Sequence, residues 1–480
     1  MNPSLANLVF ACGIAGLFFL DRDKALRTSK ALWIPVMWLW LSESRGPSVW
    51  LGIAPPAGGD AQVQLDGTPL DRLIFMFIIL AGIVALVHRR KAIAALKANW
   101  PVLIYFAFGL VSVVWSDFPG VGAKRWIKAA GDLTMVLLMV TDANPVGAFK
   151  RVLSRVGFIL LPCSVLLIKY YPGIGRVYDQ WHGFVINIGV TTNKNVLGVV
   201  VYVISLGTVW RILTLLRDKH EPNRGRHLIA QVTLLAFGIY LLVQADSATS
   251  KSCFALGTVL VIATSLSSIR RRPWAVRALV LMILFIGADV MLLGGGASLV
   301  HALGRKSDLT GRTGIWETLI PMAPNPVLGA GFETFWLGHR LEQVRAAYPG
   351  NPLNEAHNGY IEIYLNLGWV GLILMTVILV SGFHHTGLAL RGRSDSSFAG
   401  LLLAYVTAGS IYSITEAGFR TMNPNWFFLL FSVVVGSSLA SGVVTVDTKT
   451  ATSESPASQP RIPLRIGRDA FDAGSLRRGS

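Results

Sequence analysis

What most constrains this chain is the recurrence of apolar runs of roughly 16 to 22 residues, the length a helix needs to cross a hydrocarbon layer. They fall near residues 4–20, 31–42, 71–87, 100–115, 128–141, 155–168, 195–211, 228–243, 253–268, 275–293, 360–380, 398–414 and 425–441, the second and the fifth being the weakest. In hydrocarbon every backbone N–H and C=O must find its partner within the protein, so such runs become helices. Charged residues supply 14% of the 480 and hydrophobic ones 52%, where a soluble domain carries roughly 25% charged residues. An all-α polytopic membrane protein with about 12 to 13 transmembrane helices is predicted. A water-soluble core does not fit this pattern.

The net charge of +17 on a soluble chain would point to nucleic acid. Here the positives gather in alternate short loops, around Arg22–Lys30, Arg89–Lys91, Lys150–Arg155, Arg211–Arg226, Arg270–Arg277 and Arg391–Arg393. They read as topology determinants that place those loops in the cytoplasm, with no nucleic-acid partner. The other loops then face outward. Two are long: 43–70, and 294–359 with its "GGG", "PMAPNP" and "GAGF" breakers. Loops of that length are usually functional. Residues 1–441 therefore form the transmembrane domain, and the Ser/Pro-rich segment 442–480 is expected to be a disordered, basic cytoplasmic tail. No basic segment precedes the first apolar run, so no cleaved signal peptide is expected. Cys12, Cys163 and Cys253 are scattered and suggest neither a disulfide framework nor a metal site.

Polar groups stand where they are costly. In "LNEAHNGYIEIYLNLGWVGL", residues 353–372, Glu355, His357, Asn358 and Glu362 occupy the mouth of a span. An imidazole titrating near ~6.5 can accept a proton at neutral pH, which makes His357 a candidate base, with Glu355 beside it. Glu362, five residues on, lies away from His357 on a helix. Several cations sit on the outward side against the charge trend: Arg125 in "GVGAKRWIKAAGD", Lys251 in "DSATSKS" and Arg312 in "LTGRTGIWE". An anionic ligand such as a phosphate is one reason for them; headgroup contact or solvation is the other. In "TTNKNVLG", Asn193, Lys194 and Asn195 either cap a helix or line a polar cavity. Tryptophans near span ends, Trp33, Trp38, Trp40, Trp50, Trp100, Trp115 and Trp126, read as an interfacial belt. No HExxH, P-loop or GxSxG pattern is present.

In their order, "WSDFPGVGAKRW", "TTNKNVLG", "LTGRTGIWETLIPMAPNPVLGAGFETFW", "AHNGYIEIYLNLGWVGL" and "ITEAGF" resemble the O-antigen ligase and polysaccharide polymerase (Wzy-C) superfamily, nearest its ExoQ-like exopolysaccharide-production branch. The resemblance runs over most of residues 1–441 and is most specific from Thr310 to Leu372. It implies a GT-C-like membrane glycosyltransferase of the bacterial inner membrane, with its site on the large periplasmic loop. The implied donor is an oligosaccharide on undecaprenyl diphosphate, and the implied acceptor is a hydroxyl of another glycan. No metal or other cofactor is implied. Carried over residue by residue, His357 matches the base and Arg312 the arginine on the diphosphate. Lys251 stands where many ligases have a second arginine, and it lacks the bidentate fork. Arg125, Lys194 and Asn195 are expected to help bind substrate. Polysaccharide export machinery is a possible partner. The patterns leave polymerase, ligase to lipid A core and protein O-glycosylation open. A lipid-linked glycan transporter, using intramembrane charges such as Asp132 and Asp289, is the rival from another class.

Overall fold

A computed structural model describes residues 2–23, 26–54, 66–89, 91–178, 184–270, 272–288, 310–349, 353–392 and 396–443. Asp289, residues 294–309 of the large loop, 55–65 of the first long loop and the tail from 444 lie outside the described residues.

Each of the thirteen apolar runs is helical where described. The longer helices are α1 (Pro3–Leu20), α2 (Trp33–Ser42), α3 (Pro69–Val87), α4 (Lys91–Ala98), α5 (Trp100–Val111), α6 (Pro119–Val140), α7 (Pro145–Tyr170), α8 (Lys194–Arg217), α9 (Arg224–Ala245), α10 (Ala248–Ser265), α11 (Pro273–Ala288), α12 (Thr310–Leu319), α13 (Gly338–Ala347), α14 (Gly359–Ala389), α15 (Ser396–Thr415) and α16 (Pro424–Ala440). Among the described residues eight are long and apolar enough to span a bilayer, and the bent pair α4–α5 makes a ninth. The remaining runs form shorter helices (α2, α11, α16) or a helix with more charge (α6). The α4–α5 bend of 87° falls at Asn99, where Pro101 has no N–H to continue a helical ladder. Among the described residues one two-stranded hairpin, β1 (Arg176–Tyr178) with β2 (Val185–Asn187), is antiparallel, Val177 opposite Ile186. The chain is an all-α multi-pass membrane protein.

Helices α15 and α16 are buried on nearly all sides. Around them pack α8, α10 and α14, and α1 and α3 show most of their apolar residues to the surroundings. Trp38 departs from the interfacial belt. It is fully buried, and its Nε1 donates to Asp132 Oδ1 at 2.8 Å. Asp132 also accepts from the Met422 N–H at 2.9 Å. The one described charge that favoured transport is thus a satisfied structural acceptor.

The feature that places the site is a break in α14. Gly368 has φ +62° and ψ −161°, a conformation that is essentially glycine's own. The segment 326–331 fills the break. Trp369 N–H donates to the Pro326 carbonyl (2.9 Å) and Val370 N–H to Val327 (3.2 Å). In return the carbonyls of Leu365 and Asn366 accept from Ala330 (3.0 Å) and Gly331 (2.8 Å). The "PNPVLGAGF" and "LNLGWVGL" motifs are thereby two halves of one joint, in which the backbone groups freed by the kink are satisfied by the loop. Asn366 Oδ1 accepts from Phe335 N–H at 2.9 Å. A small separate core of Ile315, Leu319, Phe335, Trp336, Val344, Leu353 and Leu365 holds the loop onto the helix.

Candidate active site at the mouth of the bundle

Four segments converge here: 353–358 before α14, the connection 416–423 between α15 and α16, the start of α8, and α12. Asn358 caps α14, its Oδ1 accepting from the Tyr360 and Ile361 N–H groups at 2.9 and 3.1 Å. Glu362, one turn into the helix, is buried. It accepts from Trp336 Nε1 (2.9 Å) and from the Ala356 N–H (2.6 Å). It therefore points away from His357, as helical spacing requires, and fixes the residue just before it.

His357 Nδ1 lies 3.0 Å from Glu355 Oε1 and 3.5 Å from Glu416 Oε2. Arg312 Nη2 is 3.3 Å from Glu416 Oε1, and its Nη1 donates to the Thr415 carbonyl. Arg420 stands 3.6 Å from Glu355 and 3.5 Å from Glu333. Three carboxylates (Glu333, Glu355, Glu416) thus face two guanidiniums and an imidazole, a set that is neutral when the imidazole carries a proton. His357 (φ +48°), Glu333 (φ +54°) and Met422 (φ +59°) occupy the left-handed region. That conformation costs a non-glycine residue roughly 1–2 kcal/mol and persists where the surroundings over-determine it.

The electrostatics bear on the reading of His357 as a base. Burial would lower its pKa, but the Glu355 and Glu416 carboxylates outweigh burial and push it up to about 10. Burial likewise works to raise the Glu355 pKa, yet His357, Arg420 and Arg312 hold it at about 2. At neutral pH this site contains an imidazolium between carboxylates. A cleft open to solvent is lined by Glu355, Glu416, Arg420, Tyr412, Asn193 and Asn195 among others. His357 and Arg312, both partly exposed, adjoin the cleft through their contacts with Glu416.

The other residues expected to bind substrate divide. Asn195 lines the cleft, its Nδ2 donating to Glu416 Oε2 at 3.3 Å, while Asn193 caps α8 by accepting from the Val196 N–H at 2.9 Å. Both readings of that motif hold, on different residues. Lys194, between them, is half-buried and does not line the cleft. Lys251 pairs with exposed Asp246 at 3.1 Å and is not part of the cluster. Arg125 is fully buried. It forks onto Asp66 with two 2.8 Å bonds and donates from Nη1 to the Glu333 carbonyl, so an internal carboxylate occupies the place expected of a ligand. It positions Glu333, which in turn faces Arg420.

Glu416 and Arg420 lie outside the set of site residues expected from the sequence, although "ITEAGF" contains the first of them. Their signal is the same as that at 355–362: charged residues, here of opposite sign and four apart, at the mouth of an apolar run. As to metals, the ligand atoms of Glu355, His357 and Glu416 lie within 4.8 Å of one another, close enough to share a divalent ion. Arg312 and Arg420 already supply countercharge to the same carboxylates.

An O-antigen ligase family profile (Wzy_C) matches residues 231–376. That span contains Arg312, Glu333, Glu355 and His357 and stops short of Glu416 and Arg420. The exopolysaccharide production protein ExoQ of Rhizobium meliloti (strain 1021) is 28% identical over 312 residues, covering 62% of this chain and 67% of the relative. The chain is thus similar to an O-antigen ligase family over about a third of its length and to an exopolysaccharide production protein over most of it.

Proposed function

We propose that the protein is a membrane glycosyltransferase of the bacterial inner membrane that polymerises or transfers oligosaccharide units from undecaprenyl diphosphate to a hydroxyl of a glycan acceptor at the periplasmic face. The observation that carries this reading is the cluster at the bundle mouth, where two arginines and an imidazole meet three carboxylates beside an open cleft. The similarity to an exopolysaccharide production protein favours polymerisation. The family profile's description keeps ligation as the second reading.

The chemistry requires an acceptor oxygen to attack the anomeric carbon while the bond to the lipid diphosphate breaks. Arg312 and Arg420 are placed to stabilise the charge that develops on the leaving diphosphate. The hydroxyl proton goes to a carboxylate of the cluster, because His357 already holds a proton at neutral pH. Glu416 is the carboxylate best placed to take it, since it lines the cleft and contacts both His357 and Asn195. A diphosphate that draws Arg312 from Glu416 leaves the carboxylate with one partner fewer and an oxygen free for the hydroxyl. His357 then relays or shares the proton between Glu416 and Glu355. No metal is needed, since the guanidiniums supply the positive charge.

Purified protein given lipid-linked oligosaccharide and acceptor in detergent, with chelator present, tests this. Glu416→Gln should lower turnover at least ~100-fold, the usual weight of general base catalysis, while donor binding is kept or tightened because a competitor for Arg312 is gone. His357→Gln should fail comparably. If Glu416→Gln turns over within about threefold of wild type, Glu416 is not the base. If chelator abolishes turnover, the metal-free reading falls.

A further inference from the structure

At the other end of α14 lies a second cavity that the transfer reaction does not use. Helix α11 packs on α10 and α15, and α14 packs on α15 and α16. Between α11 and α14 runs a groove of about 390 Å³ floored by Leu403 of α15. Its walls are two helical stripes, Val276, Val280 and Leu284 on one side and Val380, Phe383 and Gly387 on the other. The three-and-four spacing turns each set to one face. Leu281 and Val380 are more than half exposed, so the groove opens to the surroundings. At one end the lining becomes basic: Arg270, Arg277, Arg391 and His384. No acidic side chain lines it among the described residues.

We propose that this groove binds an anionic phospholipid, its acyl chain along the two stripes and its phosphate held by Arg270, Arg277 and Arg391. Charge selects the occupant. Three guanidiniums at the end of an apolar trough suit a phosphate with no compensating ammonium, and Arg is the side chain best matched to phosphate geometry. A zwitterionic headgroup would bring its own cation against the same three. Basic pockets between transmembrane helices on the Arg-rich side are where such headgroups are recognised. Gly387 lies in the wall and has open space where a side chain would project, so the trough's width there depends on it.

The test uses the full chain, delipidated in detergent and titrated separately with phosphatidylglycerol, phosphatidylcholine and polyprenyl phosphate, with bound lipid read by native mass spectrometry. Wild type should bind phosphatidylglycerol ~10–100-fold more tightly than phosphatidylcholine, the range expected from up to three favourable arginine contacts. The variant R270Q/R277Q/R391Q should lose that preference. If it does not fold, Gly387→Trp serves instead: its Cβ meets no atom of the fold, its ring obstructs the trough, and phosphatidylglycerol binding should weaken at least ~10-fold. Equal affinity for the two phospholipids in wild type, or a preference that survives both variants, overturns the proposal. So does displacement of phosphatidylglycerol by equimolar polyprenyl phosphate, which would make the occupant a prenyl lipid.

Discussion

Replacing Gly368 by alanine tests how the fold delivers its site. The new Cβ would stand 2.3 Å from both the carbon and the oxygen of the Val327 carbonyl, and 2.5 Å from the Leu328 nitrogen. These are backbone atoms and cannot rotate aside. The φ of +62° with ψ −161° costs a side-chain-bearing residue roughly 1–3 kcal/mol. Retreat of the 326–331 segment also breaks the bonds from Trp369 and Val370 to Pro326 and Val327, each worth about 0.5–1.5 kcal/mol. Together the loss is about 2–6 kcal/mol. For a chain this long, 1 kcal/mol moves the melting temperature by about 1 °C, so a fall of about 2–6 °C is expected in tryptophan-monitored melting in one fixed detergent. Gly13→Ala in α1 is the control: its Cβ meets nothing, and a mid-helix alanine should be neutral or stabilising by up to about 1 kcal/mol. Turnover at a temperature where both variants are folded should fall further for Gly368→Ala, because the displaced segment leads directly into Glu333 and Trp336. A Gly368→Ala protein that melts with wild type would show that the joint does not bear on stability, and the argument for its role would fail.

Arg125→Met should destabilise by about 2–4 kcal/mol by leaving the Glu333 carbonyl without its donor, with donor affinity little changed; chemical denaturation and donor binding measured together check this, and lost affinity at unchanged stability would return Arg125 to the substrate site. Stability should follow pH through the cluster. The raised His357 pKa contributes stability that is complete below about 6.5 and lost as pH rises through about 10, and the lowered Glu355 pKa contributes stability that is complete above about 4.5 and lost as pH falls through about 2. Melting temperature should therefore be highest near pH 4.5–6.5, with the alkaline decline flattened in His357→Gln. Residues 310–359 are expected to face the periplasm: a cysteine at Glu342, in a Cys12→Ser background, should react with an impermeant maleimide in intact spheroplasts, and labelling only after lysis would invert the topology.

The helices are legible in the sequence because hydrocarbon leaves the backbone no alternative, and run length alone marks them. Span counting is less secure, because α2 and α6 form helices without being both long and uncharged. Of the site, His357, Glu355, Arg312 and Asn195 can be found from polar residues standing at span mouths. Arg125 and Lys251 draw the same inference and turn out to be satisfied by Asp66 and Asp246. A cation on the disfavoured side announces a partner without saying whether the partner is a ligand or the protein's own carboxylate. Asp66 is 59 residues from Arg125 in the chain, so only the fold could reveal that pairing.

The same reasoning bears on the charge of the imidazole. A pKa near ~6.5 belongs to histidine alone in water, and Glu355 two residues away is the only neighbour the local sequence offers. The decisive second carboxylate, Glu416, arrives from the other side of α15, 59 residues on. Its countercharge, Arg312, comes from a further segment, while Arg420, on the same connection as Glu416, faces Glu355 and Glu333. Each member is costly at the end of a hydrophobic bundle, and removing any one leaves an opposite charge buried without its partner. The cluster is tolerable only as a balanced set. In the proposed transfer, an arriving diphosphate would break that balance by taking guanidiniums from glutamates, and donor capture would then be coupled to the freeing of a base.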